Sequence, residues 1–250
     1  MRRSLPSFLA VLLLAAAALP APAAEALFLT WDDCAEEGAG GSDNPIGCFV
    51  NEGDQVLFCS FTLDSAVDQV LGIEAVVDLQ HSGGELPDWW ELSGTGACRE
   101  GALRVSGDFS LIGACTDPWR GLGGGVAFYQ PGLPRQQPNQ ARLLGTFAVV
   151  PSDSARSLEP GVAYYGLQLL ISNDKSVSLG SCAGCTFPAC LVLNSITLLR
   201  APGAPGGNVT LTTPGAGNGN WVTWKGGAGA NCGLVPVRRT SWGRIRTLYR

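Results

Sequence analysis

The sequence predicts an all-β protein, an antiparallel β-sandwich braced by disulfide bonds. Short segments in which apolar and polar residues alternate recur along the chain, and this alternation is typical of strands with one face in a core. The 34 glycines and 16 prolines supply turns between these segments, and nine cysteines supply sulphur for cross-links. About ten short strands with frequent turns and no clear helical pattern favour a sandwich.

Residues 1–23 have the features of a secretory signal peptide. Arg2-Arg3 precedes the uncharged stretch 8–19, and Ala21-Pro22-Ala23 places small residues where a signal peptidase reads them. We expect cleavage after Ala23, with cleavage after Ala26 as the alternative. The apolar stretch is shorter than the roughly 20 residues that span a bilayer, so we expect no transmembrane segment after cleavage. The sequence therefore predicts a secreted protein that is extracellular, on the cell surface or in the periplasm.

Predicted strands occupy most of residues 27–200, which we interpret as one β-sandwich domain. By alternation or continuous apolar character, these strands cover residues 27–31, 55–63, 71–79, 102–111, 125–129, 141–150, 161–172 and 189–199. Residues 201–236 form a Gly/Pro-rich segment in which 208–213 and 220–224 predict a short β-hairpin. In strand 161–172 the residues predicted to face the core are Ala163, Tyr165, Leu167, Leu169 and Ile171.

Residues 237–250 form a short basic C-terminal tail. Trp242, Ile245 and Leu248 follow one another at helical spacing, with arginines between them. About ten residues cannot hold a helix alone, so we expect the tail to lie on another surface. The acidic half of the chain, an anionic lipid surface, and an export or attachment machinery all remain open as that surface.

Charge is distributed unevenly along the chain. Without Arg2-Arg3, 14 basic residues stand against 21 acidic residues, for a net charge of −7. Residues 24–117 hold 18 acids and two bases, whereas residues 118–250 hold 12 bases and three acids. Such asymmetry predicts either that one half docks on the other or that two faces meet different partners. We expect no nucleic-acid partner for an exported acidic chain.

The nine cysteines predict four disulfides and one free thiol, because an oxidising compartment favours pairing and nine is odd. Cys59 is the predicted free thiol, since it shares the apolar face of strand 55–63. Local spacing favours Cys34 with Cys48 and Cys98 with Cys115, and Cys232 is the first partner to test for the cluster at 182–190. The predicted disulfide cysteines are Cys34, Cys48, Cys98, Cys115, Cys182, Cys185, Cys190 and Cys232.

Cys182-x-x-Cys185 admits two other chemistries. A redox motif needs a helix whose N-terminus stabilises the first thiolate, but Pro188 and an apolar strand follow here. A zinc site would use Cys182, Cys185, Cys190 and Cys232, but a zinc ribbon usually has two such knuckles. A calcium site in the acidic loop at 32–43 lacks the EF-hand spacing. We therefore expect disulfides, no metal and no cofactor.

No catalytic residues are predicted, and we expect a non-enzymatic binding or assembly protein. The single histidine, His81, lies in a glycine-containing turn, and no Gly-x-Ser-x-Gly motif is present. Trp89 and Trp90, flanked by Asp88 and Glu91, predict a ligand site. Flat aromatic faces beside carboxylates suit a polysaccharide, and another cell-surface protein is the other candidate partner.

Trp119 is a further ligand-binding candidate, as are Trp221 and Trp224. The competing interpretation is that these tryptophans are core anchors that bury most of their area. The alternative function is an extracellular carbohydrate-binding or carbohydrate-active protein, in which Trp89 and Trp90 would work with nearby carboxylates.

Two groups of motifs carry a resemblance to known families. Gly53-Asp54-Gln55-Val56 followed by the strand at 71–79 resembles the opening of cohesin-like and carbohydrate-binding-module β-sandwiches. This resemblance implies an Ig-like or cohesin-like jelly-roll type of sandwich. A second set of motifs resembles a group of uncharacterised secreted bacterial proteins: Trp31-Asp32-Asp33-Cys34, Pro87-Asp88-Trp89-Trp90, Cys182-x-x-Cys185, the stretch 190–195 and the ending 242–250. It implies a shared fold and no particular activity.

Overall fold

The computed structural model describes residues 24–34, 42–150, 155–216 and 219–232. These residues form two antiparallel-rich β-sheets and contain four disulfides, which confirms the predicted disulfide-braced β-sandwich. The predicted signal peptide at 1–23 and the basic tail at 237–250 lie outside the described residues. No helix within the described ranges is long and apolar enough to cross a membrane.

Twelve strands are present in the described residues. They are β1 (Ala26–Trp31), β2 (Asp43–Asn44), β3 (Asp54–Thr62), β4 (Val67–His81), β5 (Leu103–Ser106), β6 (Gly124–Pro131), β7 (Gln140–Ala148), β8 (Arg156–Leu158), β9 (Tyr164–Ser172), β10 (Ala189–Arg200), β11 (Val209–Leu211) and β12 (Trp221–Trp224). Single 3-10 turns occur at Asp88–Trp90 and Lys225–Gly227. The short strands β2 and β8 have no alternating pattern long enough to predict them.

The strands divide into a four-stranded sheet A and an eight-stranded sheet B. Sheet A has the order β1-β3-β9-β5. Sheet B has the order β2-β12-β10-β4-β7-β6, with β11 also beside β10 and β8 also beside β4. Only β2 and β12 pair in parallel among these strands. The alternating strands therefore give each sheet an inner face, and the two inner faces share one core.

The core face of β9 differs from the predicted one at Tyr165. A bulge at Gly166 interrupts the pairing of β3 with β9, so that Phe61 lies opposite Tyr164 and Ser60 lies opposite Tyr165. A Cβ at Gly166 would lie 2.7 Å from the carbonyl oxygen of Cys59, which explains the glycine. Because one extra residue reverses the side-chain alternation, Tyr165 lies on the opposite side of β9 from Leu167. It is nevertheless buried in the core cluster as predicted, against Phe58 and Phe109.

The predicted hairpin in residues 201–236 is wrong. β11 and β12 do not pair with each other, and both pair with the same edge of β10. Backbone groups of a two-stranded hairpin would be poorly protected alone, whereas the edge of a long central strand offers partners for both segments. The described part of this segment, 201–216 and 219–232, therefore belongs to the sandwich.

The four disulfides are Cys34–Cys115, Cys48–Cys185, Cys98–Cys182 and Cys190–Cys232. Cys59 is free and buried, as predicted, and the pairing of Cys232 with the 182–190 cluster is confirmed. The local pairs Cys34–Cys48 and Cys98–Cys115 are wrong, because the fold brings together cysteines 81 to 137 residues apart. Four disulfides indicate an oxidising environment.

A buried ion pair lies on the outer face of sheet B. The guanidinium of Arg142 donates to both oxygens of the Asp78 carboxylate, at 2.7 and 2.9 Å. The pairing of β4 with β10 is irregular at Asn194, whose side chain donates to the same carboxylate at 2.7 Å. Asp78 is fully buried, and its hydrogen bonds raise the pKa of Arg142. The negative charge therefore depends on these two partners.

We predict a thiol count that distinguishes this connectivity from incomplete pairing. Without reductant, alkylation should label no cysteine in the folded protein, because Cys59 is buried and burial raises its pKa well above the ordinary value. Denaturant alone should expose one thiol, and denaturant with reductant should expose all nine. Intact-mass analysis measures each count. Three labelled thiols in denaturant alone would mean that one disulfide is missing.

The Asp78 ion pair predicts a second outcome. Arg142→Leu should lower the free energy of unfolding by about 3–5 kcal/mol, because the Asp78 carboxylate stays buried without its counter-charge. Denaturant titration followed by tryptophan fluorescence measures this loss. Arg104→Leu is the matched control: Arg104 is more than half exposed in its pair with Asp54, and the expected change is at most about 1 kcal/mol. Equal losses for the two variants would contradict the assigned role of Arg142.

Candidate functional site

The connection between β4 and β5 enters the core at one point. Trp89 and Trp90 form a single 3-10 turn there, and both indoles are buried. The amide of Trp89 donates to the carbonyl of Ala183 at 2.9 Å, and its indole nitrogen donates to the hydroxyl of Ser176 at 3.0 Å. The Cys98–Cys182 disulfide holds the same connection further along. The loop is therefore fixed to residues 176–183.

These two indoles pack on tryptophans from both sheets. The ring of Trp224 from β12 is stacked on Trp89, with 4.9 Å between centroids, and meets Trp90 edge-on at 5.6 Å. Trp31 from β1 lies 5.8 Å from Trp224. Aromatic pairs at these separations add stability beyond the area that they bury. Four indoles from three separate segments thus form one cluster.

Burial corrects the prediction that Trp89, Trp90 and Trp119 bind a ligand. All three side chains are 0% exposed, so no ring face is open to a sugar. The indole nitrogen of Trp119 donates to the carbonyl of Gly166 at 2.6 Å, and its ring packs against Phe147. Trp224 is fully buried as well. These large aromatics fill the core because burial of their area outweighs the value of an exposed stacking surface.

Arg99 closes the loop over the indole cluster. Its guanidinium lies 3.8 Å from the centre of the Trp89 ring and donates to the carbonyl of Trp89 at 2.7 Å. It also donates to the carbonyls of Ser172 and Asp174. Burial lowers the pKa of Arg99 to about 10, opposed by the charge of Asp174, so the side chain keeps its charge at neutral pH. Cation–π contact and three charged hydrogen bonds therefore join the loop to the end of β9.

With its tryptophans held inside, the rest of this loop forms the wall of a pocket of about 460 Å³. The opposite wall is the end of β6 and the start of the approach to β7. Residues that line the pocket and carry polar groups or rigid surface include Glu85, Glu91, Ser93, Thr95, Tyr129 and Pro138. The loop is attached to the opposite wall, since the amide of Leu86 donates to the carbonyl of Pro138 at 2.9 Å, and both residues line the pocket. The volume is in the range of small-ligand sites.

Tyr129 gives the pocket an unsatisfied polar group. Its hydroxyl is buried and has no hydrogen-bond partner among the described residues. Burial, and to a smaller extent the negative charge of Glu91, raises the pKa of Tyr129 above its ordinary value. The phenol therefore stays protonated at neutral pH, and its oxygen has almost no surface exposed to the pocket. Tyr129 and Glu91 both line the pocket.

The structure brings together only part of the predicted site. Glu91 lines the pocket, whereas Asp88 is exposed and is not among the pocket residues. Glu85, Ser93, Thr95 and Tyr129 were not predicted. Tyr129 ends a predicted strand, and the run 93–96 of Ser, Gly and Thr reads as an ordinary turn, so neither pattern indicates a pocket.

The alternative chemistries that the sequence did not favour also lack their groups or their geometry. Cys182 and Cys185 belong to different disulfides, so they form neither a redox pair with each other nor part of a thiolate zinc site. Within the described ranges no group of three or more metal-ligating side chains is close enough to hold an ion. His81 was expected in a turn, but it ends β4 and is buried, and burial lowers its pKa.

Comparison with protein-family models, curated proteins and solved structures finds no match to this chain. The resemblance to cohesin-like sandwiches and to uncharacterised secreted bacterial proteins therefore stays a prediction.

The Arg99 contacts predict a strong effect on this loop. Arg99→Met should lower the free energy of unfolding by about 3 kcal/mol or more, because one buried and two partly buried carbonyls lose a charged donor at once. Arg99→Lys should retain part of the stability, since it keeps the charge and fewer donors. Arg120→Met, at an exposed arginine, is the control and should change stability little. Denaturant titration measures the stabilities.

Hydrogen exchange followed by mass spectrometry should show faster exchange in residues 86–98 of Arg99→Met. Unchanged exchange there would contradict the role assigned to Arg99 in holding the loop.

Proposed function

We propose that this protein is an exported, non-enzymatic binding protein whose β-sandwich presents the pocket at residues 85–97 to a saccharide unit. Two observations support export: four disulfides favour an oxidising compartment, and residues 1–23 have the pattern of a signal peptide. The extracellular space, the cell surface and the periplasm all satisfy them. The candidate partner is a polysaccharide or the glycan of another cell-surface molecule.

The observation that carries the saccharide proposal is the exposed carboxylate of Glu91 beside the exposed hydroxyls of Ser93 and Thr95 in the wall of one pocket. Sugar hydroxyls both donate and accept, so one sugar can hydrogen-bond the carboxylate and a neighbouring hydroxyl together. Pro131 and Pro138 provide rigid apolar surface for C–H faces.

The charges of the pocket narrow the ligand class. Glu85 and Glu91 are acidic, and no basic side chain is among the residues that line the pocket. An anionic ligand would be repelled, so uronic-acid or phosphate groups are unfavourable, whereas neutral or amino sugars fit. The fully buried Trp89 and Trp90 support the site from behind rather than contacting the sugar.

A screen on a glycan array, followed by calorimetry with the best neutral or amino sugar, tests the proposal. Glu91→Gln and Ser93→Ala should each raise Kd about tenfold, equivalent to ~1.4 kcal/mol for a lost hydrogen bond in the pocket. Glu100→Gln is the matched control, because Glu100 is an exposed acid of the same loop that does not line the pocket. It should bind as the unmodified protein does.

Two results would contradict this function. One is the absence of any glycan signal with folded, fully oxidised protein. The other is release of reducing sugar from a bound polysaccharide, abolished by Glu85→Gln or Glu91→Gln, which would instead indicate a hydrolase using the two carboxylates.

A further inference from the structure

The outer face of sheet B carries an apolar surface near its β6 edge. Strand register places Phe128, Leu144 and Val76 in one row across β6, β7 and β4. Val126 lies in the next row, together with Glu74 of β4. Phe128 is 54% exposed and Val126 is 48% exposed, and neither belongs to the core between the sheets. A sheet face with contiguous exposed apolar side chains is typical of a covered surface.

The C-terminal segment already covers the opposite end of this same face. Cys190 and Val192 point outward from β10 and are buried in a separate small cluster. Trp221, Ala230 and Cys232 pack against them there. The Cys190–Cys232 disulfide fixes the end of the described chain to the sheet. Residues 233–250 therefore start from a point that is attached to this face.

The segment that follows Cys232 is long enough to reach the exposed side chains of β6. Phe128 lies three strands from Cys190 in sheet B and roughly four residues further along the strand direction. At standard strand spacing and rise, this separation is roughly 20 Å. Residues 233–242 can span up to about 33 Å when extended, so Trp242 is within reach of Phe128.

The composition of residues 233–250 is complementary to the outer face of sheet B. Residues 233–250 contain five arginines and no acid, whereas the described residues contain 18 acids and nine bases. Glu74 lies in the Val126 row and forms no ion pair with any described residue. The tail also supplies apolar side chains of the size that the surface needs: Leu234, Val235, Val237, Trp242, Ile245, Leu248 and Tyr249.

We propose that residues 233–250 fold back over the outer face of sheet B, with the side chains around Trp242 covering Phe128 and Val126 and the arginines facing the acidic body. The tether at Cys232 favours this occupant over a second copy of the chain. A tethered segment acts at an effective concentration in the mM range, which an untethered partner rarely reaches. The acidic half of the protein and its basic tail are then two sides of one intramolecular contact.

Photo-crosslinking in the full chain from residue 24 to 250 tests the proposal directly. A benzoylphenylalanine in place of Phe128 should crosslink to a peptide from residues 233–250 of the same chain. Leu111, which is fully exposed and belongs to neither β6 nor β7, is the control position and should give no such crosslink. Mixing light and isotopically heavy protein separates crosslinks within a chain from those between chains. Crosslinks between chains, or none from position 128, would overturn the proposal.

Removal of the tail provides a second measurement. A chain that ends at residue 236 and the full-length variant Trp242→Ser should each show several-fold higher fluorescence of an apolar dye and faster hydrogen exchange in β6. Circular dichroism and the thiol count confirm that each variant is folded. Because Trp242→Ser keeps the whole chain, its result stands even where the shortened chain does not fold. Dye binding and β6 exchange equal to those of the unmodified protein would overturn the proposal.

Discussion

Four indole rings meet between the two sheets, and the rest of the structure depends on this contact. Trp31 arrives from sheet A, Trp224 from sheet B, and Trp89 and Trp90 from the connection between β4 and β5. Each ring removes a large apolar area from water, so the connection cannot leave the core without a loss of several kcal/mol. The cluster therefore joins three distant parts of the chain into one body.

Residues 182–185, with a cysteine at each end, lie against this indole cluster. Cys182 and Cys185 bond to Cys98 and Cys48, and the carbonyls of Ala183 and Cys185 accept hydrogen bonds from Trp89 and Trp224. Gly184 lies between them at a positive φ of 90°, and a Cβ there would lie 2.2 Å from Pro87. The short spacing of the two cysteines thus serves to hold two separate chain segments against the indoles. A redox or zinc function would need the thiolates that this arrangement consumes.

The pocket is a consequence of the same constraint. Because Trp89 and Trp90 point inward and Arg99 fixes the far end of the loop, residues 91–97 must cross the surface beside the end of β6. That path places Glu91 and Tyr129 in the wall of one pocket. Rigid support of this kind lowers the entropy cost of binding. The binding proposal and the tail proposal use different faces, and both rest on strands fixed by the same core.

The sequence by itself determined the all-β class, most strand positions, the free Cys59 and the need for an oxidising compartment. These features follow from local patterns: period-two alternation in β3 and β4 places alternate side chains on one face whatever the topology. Only the tertiary structure decided which cysteines pair, that β11 and β12 join β10, and that a bulge at Gly166 displaces Tyr165. Each of these depends on contacts between residues far apart in the chain, which spacing does not encode.

The candidate site was likewise predicted only in part from the sequence. A Trp-Trp pair between two carboxylates predicts a functional loop at 88–91, and the loop does border a pocket. Whether an indole faces solvent or core depends on the packing of Trp31 and Trp224, which lie more than fifty residues away on either side. Trp89 and Trp90, which were predicted to stack on a ligand, therefore pack in the core behind the pocket. Tyr129 entered the site because β6 ends opposite the loop, a neighbour relationship that exists only in three dimensions.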